Sequence, residues 1–298
     1  MRTKRLAGVL VALSITGCGG GGGGGGSTPP QSLEVPFTSF SAIGPRQTVV
    51  MPGISQSASV TGSAVTFSAV DSSNTTVKLT YNDAIALTGG NLATPQANFS
   101  LSQSAGDTVT CSGTICDLFN ASATREVVAI NATAVGWNYQ TFGVWTNTLS
   151  PTVTQVGAFS IGSPTPASAV PTSGGGNFTG LATGFYVDPS ANRYVTVATM
   201  AATADFGARS IVFSTSSTNR TALTSGAVPA PDAGLDLSGT FIYSAGTNQF
   251  TGAVTTSNAA LNGSGTGRFY GPNAQEIGGT YSLTGAGGSM LGGFGGKR

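Results

Sequence analysis

The stretch that decides the fold is Gly265-Thr266-Gly267-Arg268-Phe269-Tyr270-Gly271-Pro272-Asn273-Ala274-Gln275-Glu276-Ile277-Gly278-Gly279-Thr280-Tyr281. At its centre, Gly271-Pro272-Asn273 makes a tight turn, because proline fixes φ directly after a glycine that tolerates either sign of φ. The pair Gly278-Gly279 then permits strong coiling, or the close approach of another backbone. The stretch therefore predicts two strands that are joined by a tight turn.

Glu276 is the charged residue that stands out in this stretch, because the whole chain contains only three glutamates. We expect its carboxylate to fix the turn, either by accepting backbone N–H bonds or by pairing with Arg268. A structural role of this kind is favoured over a ligand-binding one.

The rest of the chain also has the character of strands. Runs with period two occur at Thr76–Tyr81 and Arg193–Ala198, and a short apolar run occurs at Ser210–Ser214. Turn residues recur roughly every 8–12 residues. Of the 298 residues, 45 are glycine and only 8% are charged, which argues against solvent-facing helices. The pattern predicts an all-β protein built from antiparallel sandwiches or barrels.

Glycine is unevenly distributed, which indicates two structural units. Residues 27–170 contain 11 glycines and residues 171–298 contain 24, and the change falls in a Pro- and Gly-rich stretch at 163–176 that is typical of a linker. Seven phenylalanines are the candidates for the core of the second unit: Phe178, Phe185, Phe213, Phe241, Phe250, Phe269 and Phe294.

The N-terminal residues are typical of a signal peptide for export. Three basic residues precede the apolar run Leu6–Ile15, which is too short to span a bilayer. Ile15-Thr16-Gly17-Cys18 follows and resembles the bacterial lipobox, which implies cleavage after residue 17 and lipidation of Cys18. Residues 1–17 are thus predicted to be a signal peptide, and residues 18–32, with eight consecutive glycines, a flexible tether. Gly19 after the cysteine favours the outer membrane of a Gram-negative bacterium.

The two remaining cysteines are Cys111 and Cys116. Because an exported protein meets an oxidising compartment, they are predicted to form a structural disulfide that closes a hairpin. The alternative is a redox-active pair. It is disfavoured because the spacing is not CxxC, no basic residue lies nearby and Asp117 would raise a thiol pKa.

The composition of the chain also excludes several kinds of catalytic and metal-binding site. With no histidine in the chain, Ser-His-Asp triads, His-ligated zinc and His-ligated haem are excluded. A formal net charge of +1 does not predict a nucleic-acid partner. The carboxylates are scattered, and the closest pair, Asp232 and Asp236, lies in a Pro/Gly loop, so we expect no enzymatic activity.

Several motifs resemble, in order, the barrel domain of transferrin-binding protein B-like surface lipoproteins. The resemblance covers about residues 139–298, through Tyr139–Trp145, the opening strand at 171–184, Ala204–Gly207 and the closing strand Gly292–Lys297. The most specific part is a barrel signature whose members have structural roles: Gly267, Phe269, Tyr270, Gly271, Pro272, Ala274, Glu276, Gly278 and Gly279.

The resemblance implies an eight-stranded antiparallel barrel in residues 136–298, with its lead-in strands, and a small β-rich handle-like domain in residues 33–135. It implies a monomeric, surface-exposed lipoprotein that binds an iron source, a carrier protein or haem, for a partner outer-membrane transporter. Export by a dedicated translocator is also implied. Because histidine is absent, haem would need tyrosine or methionine ligands, and Tyr186, Tyr243 and Tyr270 are the candidates.

Two other interpretations fit parts of the sequence. A structural or adhesive surface lipoprotein, binding matrix, glycan or another envelope component, would share the tether and the Ser/Thr-rich strands. A receptor should differ by one loop cluster rich in aromatic residues and arginine, and Tyr139–Trp145 and Asn192–Tyr194 are the candidates. A membrane-spanning barrel is disfavoured, since the lipobox already supplies an anchor and aromatic residues are few.

Overall fold

A computed structural model describes residues 39–224 and 226–298. The predicted signal peptide, Cys18 and the glycine tether lie outside these residues. Within the described part of the chain, no helix is long and apolar enough to cross a membrane. In residues 39–224 and 226–298, nineteen strands account for most of the fold, with four short 3₁₀ turns at Phe40–Ala42, Gln103–Ala105, Ala167–Ala169 and Ala233–Leu235. The predicted all-β class is confirmed.

The strands form two antiparallel sheets in chain order. The first sheet contains β1 (Thr48–Thr61), β2 (Ala64–Phe67), β3 (Thr76–Tyr81), β4 (Leu87–Ala93), β5 (Asn98–Ser102), β6 (Thr108–Ser112), β7 (Ile115–Phe119), β8 (Arg125–Ile130), β9 (Gln140–Thr148) and β10 (Val153–Gly162). The second contains β11 (Gly175–Val187), β12 (Arg193–Asp205), β13 (Ser210–Ala222), β14 (Ala230–Pro231), β15 (Leu237–Ile242), β16 (Gln249–Thr256), β17 (Asn262–Tyr270), β18 (Glu276–Gly285) and β19 (Gly288–Lys297).

The second sheet closes into a barrel. Its order is β12-β11-β19-β18-β17-β16-β15-β13, and β12 also pairs with β13, so eight strands complete the ring. The two-residue strand β14 lies outside the ring and pairs with β13. The eight-stranded barrel expected from the sequence is therefore present. Closure leaves no free strand edge within the ring.

Phenylalanine side chains fill the barrel interior, as expected for a ring of eight strands. Six of the seven predicted core phenylalanines share one buried cluster there, and four of their rings, those of Phe213, Phe241, Phe250 and Phe294, contact one another at centroid distances of 4.9–6.4 Å. The seventh, Phe185, is buried outside the barrel, in a cluster with side chains of the first sheet. Its placement in the barrel core was wrong, because Phe178 and Phe185 are seven residues apart on one strand and point to opposite faces.

The first sheet is built around the long strand β1. Residues 48–52 of β1 pair with β3, and residues 53–61 pair with β10. The strand order is β5-β4-β3-β1-β10-β9-β8-β7-β6, with β2 added to β1. The sheet thus ends in β5 and β6, which lie near each other in space. It curls around its own apolar cluster, which contains Phe99, Trp145 and Phe159.

Strands β9 and β10 link the two halves of the chain. They follow residue 136, where the sequence motifs begin the barrel domain, but they pair with β8 and β1 of the first sheet. The chain leaves that sheet after Gly162 and enters the barrel at Gly175. We therefore propose a domain boundary within residues 163–174, inside the linker region indicated by composition.

Candidate functional site

The hairpin at residues 265–281 faces the first sheet through Glu276. This side chain is fully buried, and its carboxylate accepts three backbone N–H bonds, from Asn138 (2.7 Å), Tyr139 (2.9 Å) and Gln140 (2.9 Å). The donors lead into β9, 136 to 138 residues away along the chain. Glu276 therefore joins the barrel to the first sheet rather than fixing its own turn.

Arg268 does not serve as the partner of Glu276. Its guanidinium donates instead to the backbone carbonyl of Ser72, in the first sheet. Burial raises the pKa of Glu276, although the three N–H bonds and the positive charge of Lys297 act in the opposite direction. Lys297 itself donates to the carbonyl of Gly136 at 2.7 Å. Side chains of three barrel strands therefore bind the first sheet. Glu276 and Lys297 contact residues 136–140, which lead into β9, and Arg268 contacts the loop that contains Ser72.

Glycines allow the two sheets to approach closely at this interface. A Cβ added at Gly278 would lie 2.8 Å from Oε1 of Gln140, and one at Gly295 would lie 2.6 Å from Nε2 of the same side chain. A Cβ at Gly293 would lie 3.0 Å from Phe142. The hydroxyl of Tyr270 lies 3.1 Å from Oγ of Ser160, also in the first sheet. The signature residues on this face therefore act as a docking surface for β9 and β10.

The remaining signature residues shape the barrel itself. Phe269 points into the interior, whereas Gly271 adopts a φ of 84° in the turn that links β17 to β18. Gly267 and Gly279 face inward, where an added Cβ would meet Phe250 and Phe294 respectively. Pro272 and Ala274 lie in the same turn.

A group of polar and aromatic side chains lies at the end of the barrel that carries the β11–β12 hairpin. We call it the tyrosine–arginine cluster, and it consists of Tyr186, Asp188, Tyr194, Arg220 and Asp232. The two tyrosine rings stack at 5.7 Å, and the Arg220 guanidinium lies 4.9 Å from the Tyr194 ring. Nε of Arg220 lies 3.1 Å from a carboxylate oxygen of Asp232. The cluster is thus a connected arrangement of rings and charges.

The cluster is held in place by the hairpin and by backbone groups. Tyr186 donates its hydroxyl to the carbonyl of Gly287 at 2.7 Å, and Tyr194 donates to Asp188 at 3.3 Å. Burial opposes ionisation of Asp188, but hydrogen bonds from Asn192, Ser190 and Tyr194 outweigh it and lower its pKa. Asp188 therefore remains an anion at neutral pH. Burial raises the pKa of Tyr186, and the nearby Asp188 charge adds to that effect.

This end of the barrel has the side-chain types of a protein-binding surface. Tyrosine and arginine are enriched among the residues that dominate binding energies. The Arg220 and Asp232 side chains are 36% and 24% exposed, so both reach solvent while they hold each other. The loop between β13 and β14 adds Val228, which is 76% exposed. Tyr186 is buried in the barrel core, so a partner would contact the half-buried Tyr194 ring and the Arg220–Asp232 ion pair.

Sequence reasoning found only part of this cluster. Tyr194 belongs to the predicted candidate Asn192–Tyr194, but Arg193 turns away and donates to Oγ1 of Thr154 in the first sheet. Arg220 was missed, because only the pairing of β12 with β13, in which Thr196 lies opposite Arg220, brings it beside Tyr194. The other candidate, Tyr139–Trp145, is structural. Trp145 is fully buried against Gly157.

The three tyrosines considered for haem do not form one site. Tyr186 is committed to Gly287, Tyr270 is buried against Ser160, and Tyr243 contacts Phe269 at the opposite end of the barrel from Tyr186. The methionines of the described residues, Met51, Met200 and Met290, are buried in the two cores. Within the described residues, no group of His, Cys, Asp and Glu side chains is placed to hold a metal ion.

The other candidate residues have structural partners. Cys111 and Cys116 lie directly opposite each other on β6 and β7 and are joined by a disulfide. Asp232 pairs with Arg220, while Asp236 accepts bonds from the backbone N–H and the hydroxyl of Thr218. The two carboxylates are therefore engaged separately.

Comparison with known proteins identifies the second domain. Residues 170–298 match the family model described as the C-lobe and N-lobe beta barrels of Tf-binding protein B. The sequence of the barrel is therefore similar to that of these domains. No curated protein sequence matches the chain.

Solved structures of the same kind resemble the chain over most of its length. Transferrin binding protein B from Haemophilus parasuis Hp5, described as a vaccine antigen, matches with a TM-score of 0.50 and 15% identity, over 82% of this chain and 45% of that one. The present chain therefore spans about half of that structure. Transferrin binding protein B of serogroup B Neisseria meningitidis matches at 0.39 and 11%, over 85% of this chain and 77% of that one. The N-lobe of lactoferrin binding protein B of Moraxella bovis matches at 0.37 and 11%, over 83% and 99%.

Proposed function

Because its barrel domain is of the transferrin-binding protein B type, we propose that the chain is a surface lipoprotein that captures a protein ligand. The observation that carries this proposal is the tyrosine–arginine cluster at the end of the barrel. Within this cluster, Tyr194 is half-buried and the Arg220 side chain is 36% exposed, so both reach solvent. A receptor uses such residues as binding anchors.

The ligand that this surface supports best is a protein, and we infer that it is a carrier of iron. The named relatives are binding proteins for transferrin and lactoferrin. A haem ligand is less well supported, because the candidate tyrosines lie apart and two of their hydroxyls already donate within the protein. In this proposal the chain presents the captured carrier to a partner transporter in the outer membrane.

The anchor belongs to the same proposal. Lipidation of Cys18 and a glycine tether would hold the two domains at the outer membrane of a Gram-negative bacterium, away from the lipid headgroups. Replacement of Cys18 by alanine should release the protein from membranes into the soluble fraction. Continued retention of this variant in the membrane fraction would contradict an anchor at Cys18.

Binding can be tested with the full-length lipoprotein immobilised in detergent micelles. It should retain transferrin or lactoferrin from purified stocks, and Arg220→Gln or Tyr194→Ala should weaken that retention at least tenfold. The matched control is Arg209→Gln, which removes an exposed arginine at the opposite end of the barrel and should leave binding unchanged.

Three outcomes would count against the proposal. The carrier proteins are not retained at all, the Arg220 and Arg209 variants lose binding equally, or haem alone gives a Soret band with the protein. Retention of matrix proteins or glycans in place of iron carriers would favour the structural or adhesive alternative.

A further inference from the structure

The first sheet encloses a cavity of about 330 Å³ that has no role in the proposed receptor surface. Its walls come from β3, β4 and β5 on one side and from β6, β7, β8 and β10 on the other. The lining is dominated by apolar side chains, and no charged residue contributes to it. A dry apolar cavity far smaller than this one can hold a small apolar molecule.

Three of the polar side chains that line the cavity donate hydrogen bonds within the protein. Gln103 donates to the carbonyl of Val109 at 2.9 Å, and Thr141 donates to that of Ile130 at 2.5 Å. Asn131 donates to the carbonyl of Gly113 at 3.2 Å. Burial raises the pKa of Tyr81, so its phenol stays neutral. The interior thus offers little to a polar ligand and favours a hydrocarbon.

The dimensions fit a single extended chain. The lining on β3 runs from Val77 to Tyr81, which is about 13 Å of strand at ~3.3 Å per residue. The cavity volume spread over that length leaves room across for at least one carbon chain. With C–C bonds of ~1.5 Å, about ten carbons extend over that distance.

The rim of the cavity carries an unusual residue. Ile85 lines the cavity, is 46% exposed and has a φ of 58°, which a β-branched residue rarely adopts. Its turn is fixed by Asn82, whose side-chain oxygen accepts the N–H groups of Ala84 (2.9 Å) and Ala86 (3.0 Å). The turn therefore holds an apolar side chain between solvent and cavity, where an entering alkyl chain would pass.

The same turn also carries charge. Asp83 forms an exposed ion pair with Arg46, whose backbone N–H donates to the carbonyl of Asn82. The ion pair joins this turn to the loop that carries Arg46, and neither charged side chain lines the cavity.

We propose that this cavity binds one linear alkyl chain of about ten carbons, as in a medium-chain fatty acid or the acyl tail of a lipid. The site is separate from the tyrosine–arginine cluster, so it stands independently of the proposed receptor function. A free fatty acid and the acyl chain of the protein's own anchor present the same chemistry, and the experiment separates these two sources.

The test is calorimetric titration of the full chain with decanoate. Binding should be saturable, and hexanoate, which lacks four methylenes, should bind about two hundredfold more weakly at roughly fourfold per methylene. Gly90→Val should abolish binding, because a Cβ at Gly90 lies 3.3 Å from Leu118 and its methyl groups would occupy the cavity. Gly175→Val, at an exposed strand position, is the matched control and should bind as the wild type does.

Further variants keep the proposal falsifiable. Ala129→Leu fills the cavity from β8 and should also abolish binding, with circular dichroism showing that each variant is folded. If the lipidated chain does not bind decanoate but Cys18→Ser does, the protein's own acyl chain occupies the cavity. The proposal is overturned if neither form binds, if hexanoate binds as well as decanoate, or if both folded cavity variants bind normally.

Discussion

Replacement of Glu276 should loosen the first sheet from the barrel. In Glu276→Ala, three backbone N–H groups at residues 138–140 lose their acceptor, and the group at Gln140 is buried. A buried donor without a partner costs about 1–3 kcal/mol, and the two part-buried donors can recover water, so we expect a loss of about 3 kcal/mol. In a chain of this size that lowers the melting temperature by roughly 6–12 °C.

Urea unfolding of the full chain measures this effect with two probes. Both tryptophans, Trp137 and Trp145, lie in the first domain, so fluorescence follows that domain while far-ultraviolet circular dichroism follows both. In the Glu276→Ala variant, the fluorescence transition should move to lower urea and precede the circular dichroism transition. The control is Asp205→Asn, which removes one charge but keeps an oxygen to accept the N–H of Ala208.

The dependence on pH provides a second signature of the same contact. Because burial raises the pKa of Glu276 in the folded protein, the folded state keeps this proton to higher pH than the unfolded state does. Its contribution to stability is therefore complete below the ordinary value of 4.5 and declines as pH rises through the raised folded value. The difference in unfolding free energy between the wild type and Glu276→Gln should therefore narrow as pH rises from 4.5 through the raised pKa of Glu276. The reasoning would be refuted if the unfolding free energy of Glu276→Ala lay within 0.5 kcal/mol of the wild-type value. It would also be refuted if the difference in unfolding free energy between the wild type and Glu276→Gln widened with pH.

Two further predictions concern the same architecture. Gly295→Val should destabilise the protein by about 1–3 kcal/mol, because its Cβ would lie 2.6 Å from the Gln140 side chain; an equal loss in Gly175→Val would point to strand propensity instead. Replacing Cys111 and Cys116 together with serine should lower the unfolding free energy by about 2 kcal/mol, as expected for a loop this short, and reductant should reproduce the loss in the wild type but leave the variant unchanged.

The central hairpin of the barrel could be predicted from sequence because its determinants are local, whereas the eight-stranded ring followed only from the family resemblance. A tight turn, alternating aromatic residues and paired glycines specify the hairpin at 265–281 without reference to distant residues. The interior position of Phe178 follows from the same alternation. That rule also places Phe185 outside, since an odd separation on one strand reverses the face. The error at Phe185 was thus one of arithmetic on a strand, and the sequence contained the signal.

Other features depend on contacts that no local pattern reveals. The N–H donors that satisfy Glu276 are separated from it by 136 to 138 residues. Arg220 reaches Tyr194 only through the register of β12 with β13, and that register shifts at a bulge between Val197 and Thr199. The cavity likewise arises from the curling of a sheet whose end strands are β5 and β6. Neither the receptor surface nor the cavity could therefore be located by reading along the chain.

The contacts of β18 and β19 explain why the barrel signature of this chain is so rich in glycine. These strands are covered on both faces, by phenylalanine and tyrosine rings inside the barrel and by β9 and β10 outside it. Gly279 and Gly292 leave room for the inner rings, whereas Gly278, Gly293 and Gly295 leave room for the outer strands. A Cβ on either face would therefore displace either the core or the neighbouring domain. The glycine run is therefore the consequence of a barrel wall that serves as core on one side and as a docking surface for the first sheet on the other.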